Sequence, residues 1–108
     1  MRRLAGILAA LSLLLVAAPV QDAAAARHLS YDQARRNATR FAAAQAAADP
    51  SIVQWEVGRG FRFTARKFVF VWWATKNDGT VCAAQLVTRF RSSTTNKLIS
   101  YFRLETCS

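Results

Sequence analysis

Residues 67–91 read KFVFVWWATKNDGTVCAAQLVTRFR, and this stretch decides the fold. A run of aromatic and β-branched side chains, 68–73, precedes the polar segment 76–79, and a second extended run follows it. Such side chains favour strands, and an Asp-Gly pair supplies the positive φ that tight hairpin turns need. The stretch therefore predicts two antiparallel strands, 67–75 and 80–91, joined by a hairpin.

Two further strands are predicted on either side of this hairpin. Upstream, residues 53–57 alternate apolar and polar side chains, which is the period of a half-buried strand. Gly58 and Gly60 predict a bulge or bend directly after them. Downstream, a polar loop over 92–96 leads to a fourth strand, 97–107. Short links between consecutive strands indicate an antiparallel meander.

One helix is predicted before the strands, over residues 31–48. Ser30 is placed to cap it, and Gln33 follows at the capping-box spacing. Alanine, the best helix former, dominates its interior, and Asp49-Pro50 ends it because the residue before a proline avoids the helical region. The fold class is therefore α+β: one N-terminal helix packed on a four-stranded antiparallel β-meander, in the order α-β-β-β-β.

Residues 1–26 are predicted to be a secretory signal peptide. Arg2 and Arg3 form a positive start, an uncharged apolar run covers 4–20, and four alanines at 23–26 offer a small-residue cleavage site. These are the three parts of a secretory signal. The alternative is an uncleaved membrane anchor, but the run has 17 residues, and a spanning helix needs about 20.

Cleavage would leave residues 27–108 as a single domain without a stable membrane span. We therefore expect the protein to be secreted, either extracellular or associated with the cell envelope. A domain of this size is close to the limit at which one core suffices for stability.

The domain is strongly basic. Residues 27–108 keep thirteen of the fifteen basic residues and five of the six acids, so the formal net charge is +8. Such a charge fits an anionic partner, or it reflects a base composition rich in arginine codons. The scattering of the charges favours the second reading, and Arg35, Arg36 and Arg40 are expected on a solvated helix face. A homodimer, an extracellular protein and an anionic envelope polymer stay open as partners, whereas export disfavours nucleic acid.

The two cysteines, Cys82 and Cys107, are predicted to form one disulfide, as an even pair in a small exported domain does. If Ser92 and Lys97 close the last loop, the two cysteines lie opposite each other on neighbouring strands. Without a histidine cluster, two thiols do not indicate a metal site.

The register of the first hairpin determines which side chains the helix covers. If Asp78 and Gly79 form a two-residue turn, Trp72 pairs with Gln85; a turn one residue longer would flip the faces. On the first register, the helix is expected to cover the face that includes Phe61, Val87, Phe102 and Leu104.

The opposite face is apolar as well, although an antiparallel sheet with one helix can present a polar face to water. It is our candidate interaction face, for a twin subunit, another protein or an apolar ligand. The alternative is that sheet curvature, chain ends and long arginine stems cover it. The candidate residues are Val69, Val71, Trp73, Leu86, Phe90, Tyr101, Arg62 and Arg103.

Catalysis finds little support in the sequence. The single histidine, His28, lies in the tail before the helix, and oxidised cysteines cannot act as nucleophiles. No phosphate-binding glycine loop and no metal-ligand spacing is present, and no cofactor is expected. The sequence therefore predicts a non-enzymatic binding module. The alternative is an exported protein inhibitor or cationic effector that acts on a foreign protein or an anionic envelope.

The Ala- and Arg-rich segment 35–41, the segment 55–58, the aromatic run 68–73 and Cys82 give the chain a resemblance to small secreted actinobacterial proteins of unknown function. Helix followed by meander also resembles the cystatin-type arrangement. The inhibitory segment of that type, Gln-x-Val-x-Gly, is absent, because in residues 54–58 the valine comes three residues after the glutamine instead of two. The resemblance therefore implies a fold but no inhibitory residue.

Overall fold

The computed structural model describes residues 28–108, and the predicted signal peptide, 1–26, lies outside the described residues. Helix α1, Tyr31–Ala48, precedes four strands that form one antiparallel sheet in the order β1-β2-β3-β4. The strands are β1 (Ile52–Thr64), β2 (Lys67–Lys76), β3 (Val81–Phe90) and β4 (Leu98–Cys107). The predicted α+β fold is confirmed.

Local hydrogen bonds fix both ends of α1 at the predicted residues. The backbone N–H of Gln33 donates to Ser30 Oγ at 3.1 Å, and Gln33 Oε1 accepts from the Ser30 N–H, which completes a capping box. At the other end, the Asp49 N–H donates to the carbonyls of Gln45 and Ala46. Within the described part of the chain, no helix combines the length and apolar character needed to cross a membrane.

The hydrophobic core lies between α1 and one face of the sheet. Ala34, Ala38 and Ala42 are fully buried along the helix, and their small side chains let it approach large aromatic rings. We call the covered side of the sheet the helix face and the opposite side, which includes Val69 and Val71, the outer face. The buried residues of the helix face are Val57, Phe68, Phe70, Trp72, Ala74, Cys82, Ala84, Leu86 and Phe90.

A short polar chain anchors the helix above β3 and β4. Ser100 Oγ donates to Asn37 Oδ1 of the helix at 2.8 Å. Because the Ser100 hydroxyl proton is engaged in this bond, Ser100 Oγ accepts from the hydroxyl of the buried Thr88 at 2.6 Å. Buried polar groups need such partners, and this chain therefore favours one position of α1 over the sheet.

The hairpin between β2 and β3 turns through three residues, one more than the predicted turn. Lys76 donates its N–H to the Thr80 carbonyl at 2.8 Å. Gly79 has a φ of 89°, in the left-handed region that glycine adopts without strain. A three-residue loop of this kind is a type I turn followed by a left-handed residue.

The extra loop residue shifts the predicted register by one position, so that Trp72 pairs with Ala84. A shift of one residue moves every side chain of β3 to the other face. Leu86 and Phe90 are therefore buried on the helix face, at 0% and 3% exposure, and Val87 belongs to the outer face. The predicted placement of these three residues was wrong for this reason.

Strand β1 contains a bulge at residues 58–59. Val57 pairs with Trp72 and Gly60 pairs with Phe70, so two residues of β1 stand opposite a single residue of β2. A bulge of this kind reverses the alternation of side chains beyond it.

Beyond the bulge, Phe61 and Phe63 belong to the outer face and Arg62 belongs to the helix face. The Arg62 guanidinium lies 4.6 Å from the centre of the Phe68 ring and donates to the Leu29 carbonyl at 2.8 Å. The predicted positions of Phe61 on the helix face and of Arg62 on the opposite face were therefore wrong.

The disulfide between Cys82 and Cys107 is confirmed, and the two residues pair directly across β3 and β4. The loop before β4 closes on Arg91 and Lys97, one residue earlier than predicted. An irregularity at Leu104, which has a φ of 53°, shifts the pairing of β3 with β4 by one position. The two cysteines therefore pair with each other as predicted. Leu104 thereby leaves the helix face on which it was expected, and it is 67% exposed.

Candidate binding surface on the outer face

An apolar row of paired side chains crosses the outer face from one edge of the sheet to the other. Directly paired residues of antiparallel strands point to the same face and contact each other. The row takes one residue from each strand: Phe61, Val69, Val87 and Tyr101.

Basic side chains stand on both sides of this row. On one side, Lys67 of β2 pairs with Arg89 of β3. On the other side, Val71 pairs with Gln85, which in turn pairs with Arg103 of β4. The outer face is therefore an apolar band with positive charge along both borders.

A trough of about 330 Å³ lies over the middle of this band. Its volume falls within the range of small-molecule sites, roughly 300–1,000 Å³. Val87 is buried although it faces away from α1, so the floor of the trough is shielded from solvent. The trough is lined by Phe61, Phe63, Lys67, Val69, Gln85, Val87, Arg103 and Leu104.

The walls of the trough are exposed and apolar. Phe61 and Phe63 rise from β1 with 60% and 68% of their surfaces exposed, and Leu104 of β4 is similarly open. Val71 and Trp73 continue the apolar surface along β2. Contiguous exposed apolar residues with a polar border mark interaction sites in soluble proteins.

No acidic side chain in the described part of the chain forms an ion pair with the charges beside the trough. Lys67 Nζ lies 4.7 Å from the centre of the Phe63 ring, which is a cation–π contact. Among residues 28–108, the single ion pair joins Lys76 to Asp49 and does not involve these groups. The border of the trough therefore carries a positive field that would attract anions.

The structure brings together most, but not all, of the predicted interaction residues. Val69, Val71, Trp73, Tyr101 and Arg103 lie on the outer face. Leu86, Phe90 and Arg62 lie on the helix face and cannot contribute to the same surface.

Sequence reasoning missed Phe61, Phe63, Val87, Leu104 and Lys67 as members of the outer face. For Phe61 and Phe63, the available signal was the pair of glycines at 58 and 60. Such a pair predicts a bulge, and a bulge reverses the alternation of the side chains beyond it. For Val87, the available signal was the alternative hairpin turn that is one residue longer, because it would move the side chains of the following strand to the other face.

Several other arginines are bonded to backbone carbonyls and serve the fold. Arg35 was expected to be solvated, but its guanidinium donates to the carbonyls of Val57 and Gly58, both at 2.7 Å. Arg66 donates to the Ser92 carbonyl at 2.8 Å. These contacts hold the β1 bulge and the loop before β4 in place.

A second cavity, of about 110 Å³, lies at the C-terminal end of α1. Two carboxyl groups, Asp49 and Glu105, stand at it together with Lys76. Asp49 is engaged locally: the Ser51 hydroxyl and N–H both donate to it, and these bonds lower the pKa of Asp49 below its ordinary value. This cavity is much smaller than the usual ligand site.

One group of potential metal-ligating atoms occurs in residues 28–108, formed by Cys82, Cys107 and Glu105 within 4.8 Å of one another. Both sulfurs are joined in the disulfide. The thiolate is the form of cysteine that binds metals, so the oxidised pair does not carry a metal site.

Known protein families and structures offer no relative from which a function could be transferred to this chain. No family model, no curated protein and no solved structure matches the chain.

Proposed function

We propose that this protein is an exported, non-catalytic binding module and that the outer face of its sheet is the binding surface. The observation that carries the proposal is the trough between Phe61, Phe63 and Leu104, with its shielded floor and exposed walls. The helix face is already covered by α1, whereas these apolar side chains have no cover within the described part of the chain.

Burial of the outer face on a ligand or partner would be favourable. Removing apolar surface from water contributes about 25 cal/mol per Å², and Val71, Trp73 and the trough walls all retain such surface. Export is supported by the signal-like segment at 1–26. The disulfide also supports it, because disulfides persist mainly in oxidising compartments.

The absence of a catalytic role is supported by the distribution of reactive groups. Glu56, Asp78 and Glu105 are exposed on separate elements, and no carboxyl group of residues 28–108 lines the trough. Both cysteines are oxidised and therefore cannot act as nucleophiles. A general acid or base would need to stand within hydrogen-bond reach of a bound substrate.

Photo-crosslinking tests the proposal directly. The photoreactive residue p-benzoylphenylalanine is placed at Val71 on the outer face and, as a matched control, at the exposed Ala43 of α1. The partners offered are the culture fluid and the envelope fraction of the producing organism. We expect an adduct from position 71 that disappears in the Trp73→Ser variant, with none from position 43. Equal yields at both positions would refute the proposed surface.

A cationic effector that acts on an anionic envelope is the second candidate, and the exposed Arg36 and Arg40 on α1 favour it. Binding to isolated envelopes distinguishes the two. An effector would lose binding in the Arg36→Gln/Arg40→Gln double variant and retain it in Trp73→Ser. The binding module would show the reverse pattern.

A further inference from the structure

We propose that the trough binds a small amphipathic anion, a molecule with an apolar body of about two rings and one carboxylate, sulfonate or phosphate group. The inference rests on the proposed function of the outer face and names the class of ligand that this face would take.

The size of the trough sets the size of the apolar body. An engineered apolar cavity of about 150 Å³ accepts one benzene molecule. The trough has about 330 Å³, which is room for roughly two fused rings or a short acyl chain. A folded protein could insert no more than one or two side chains into this space.

The lining sets the apolar character of that body. Val69 and Val87 form the floor, and the rings of Phe61 and Phe63 stand beside it. Aromatic rings pack against other rings in offset or edge-to-face arrangements, with a gain beyond the area that they bury. A planar two-ring body would therefore fit between the phenylalanines and Leu104.

Arg103 sets the charge of the ligand, because among the described residues that line the trough it has a guanidinium that is not used in a hydrogen bond within the fold. Arg62, Arg66 and Arg89 all donate to backbone carbonyls, and Lys67 lies against the Phe63 ring. Arg103 lines the trough, is exposed, and makes no hydrogen bond or ion pair with any residue of 28–108. A planar fork of this kind binds carboxylate and related anions in bidentate fashion.

Within residues 28–108, no acidic residue lines the trough. Glu105 directly follows Leu104, but it lines the cavity at the C-terminal end of α1. Glu56 pairs with Trp73, two positions along β2 from Val71. Paired positions two residues apart on a strand are separated by about 7 Å. Glu56 is therefore at the far end of the apolar surface and does not line the trough.

Two fluorescent probes that share their rings test the inference on the disulfide-intact protein. The first probe is 5-(dimethylamino)naphthalene-1-sulfonate, which is an amphipathic anion with two fused rings, and the second is 1-(dimethylamino)naphthalene, which lacks the sulfonate. We expect one sulfonate probe to bind per chain. Arg103→Gln should weaken it about tenfold, which corresponds to one charge-assisted hydrogen-bond pair, and should leave the neutral probe unchanged.

Control variants separate the possible failures. Arg91→Gln removes the same charge from the loop after β3, where the side chain is exposed and does not line the trough, and it should change neither probe. An equal loss in Arg91→Gln and Arg103→Gln would mean non-specific ion pairing and would overturn the inference. Phe63→Ser should weaken both probes several-fold. If Phe63→Ser weakens them and Arg103→Gln does not, the ligand is not an anion and this inference alone fails.

If Phe63→Ser has no effect on either probe, the probes do not bind in the trough and this inference fails. The proposed function fails as well if the crosslink from position 71 is also absent. Light scattering on the same samples completes the test. A dimer that excludes both probes, and that Phe63→Ser dissociates, would show that a second copy of the chain occupies the trough, and it would overturn the amphipathic anion.

Discussion

Replacing Gly60 with alanine should destabilise the domain, because the position has no room for a side chain. A Cβ atom there would lie 2.3, 2.4 and 2.9 Å from three atoms of the Phe70 ring. Phe70 is fully buried, and the rings of Tyr31 and Phe68 stand 5.7 and 6.2 Å from it. The ring would have to move by about 1 Å within a close-packed core.

Two opposing effects determine the magnitude. Overpacking a core costs about 1–3 kcal/mol. Alanine also restricts the unfolded chain, which offsets about 0.4–1 kcal/mol of that cost wherever the backbone suits it. Gly60 does not have a positive φ, so its backbone does suit alanine and the loss is purely steric. We therefore expect a net loss of about 1–2 kcal/mol, or a Tm lower by about 5–15 °C.

Urea unfolding, followed by tryptophan fluorescence with the disulfide intact, measures this loss. Gly58→Ala is the matched control: its Cβ would lie 3.2 Å from the partly exposed Trp73 ring, which can shift. That control should change stability by less than about 0.5 kcal/mol, as surface substitutions do. Combining Gly60→Ala with Phe70→Leu should cost less than the sum of the two. A Gly60→Ala protein as stable as Gly58→Ala would refute the steric argument.

Three further predictions concern the disulfide, one arginine and one acid. Reducing the bond between Cys82 and Cys107, which lie 25 residues apart, should lower the free energy of unfolding by about 3 kcal/mol; an unchanged urea midpoint in reductant would contradict it. Arg35→Lys keeps the charge but loses the planar fork, so it should cost about 1 kcal/mol in thermal unfolding, whereas Arg36→Lys should cost nothing measurable. The pKa of Asp49 is lowered, chiefly by the serine hydroxyl two residues ahead; its ionised form therefore stabilises the fold above about pH 4, and that contribution is lost as the pH falls. Asp49→Asn should flatten the decline of stability between about pH 5 and 2, and parallel pH profiles would disprove this.

The helix was predictable from the sequence because its determinants are local. Ser30 and Gln33 make the expected capping box, and Asp49 ends the helix at the residue before a proline. Each of these signals acts within four residues of the chain. Tertiary contacts were not needed to place either end.

The faces of the sheet were predictable only between irregularities. Val69, Val71 and Trp73 lie on one strand without a bulge, and their common face was predicted correctly. The turn at Asp78 and Gly79 was not decided by its sequence, because both two- and three-residue loops accept that pair.

Two irregularities elsewhere also limited the prediction. The positive φ of Leu104 had no sequence signal, since leucine rarely adopts that conformation. The two glycines predicted a bulge or a bend near 58–59. The face of Phe61 depends on how many extra residues the bulge contains, and the sequence did not determine that number. The trough is formed by side chains from both places, and for this reason its composition could not be read from alternation alone.

The bulge at 58–59 has a consequence for how sequences related to this one would diverge. Deleting one residue there would restore the alternation between Val57 and Arg62, so Phe61 would turn towards α1 and Arg62 would turn away from it, without any substitution. Relatives that lack one residue at this point would align with this sequence on both sides of a one-residue gap. The side chains that follow the gap would nevertheless lie on the opposite face of the sheet. The length of this segment, counted between Val57 and Gly60, is therefore a better marker of a shared binding surface than the identity of the residues that follow it.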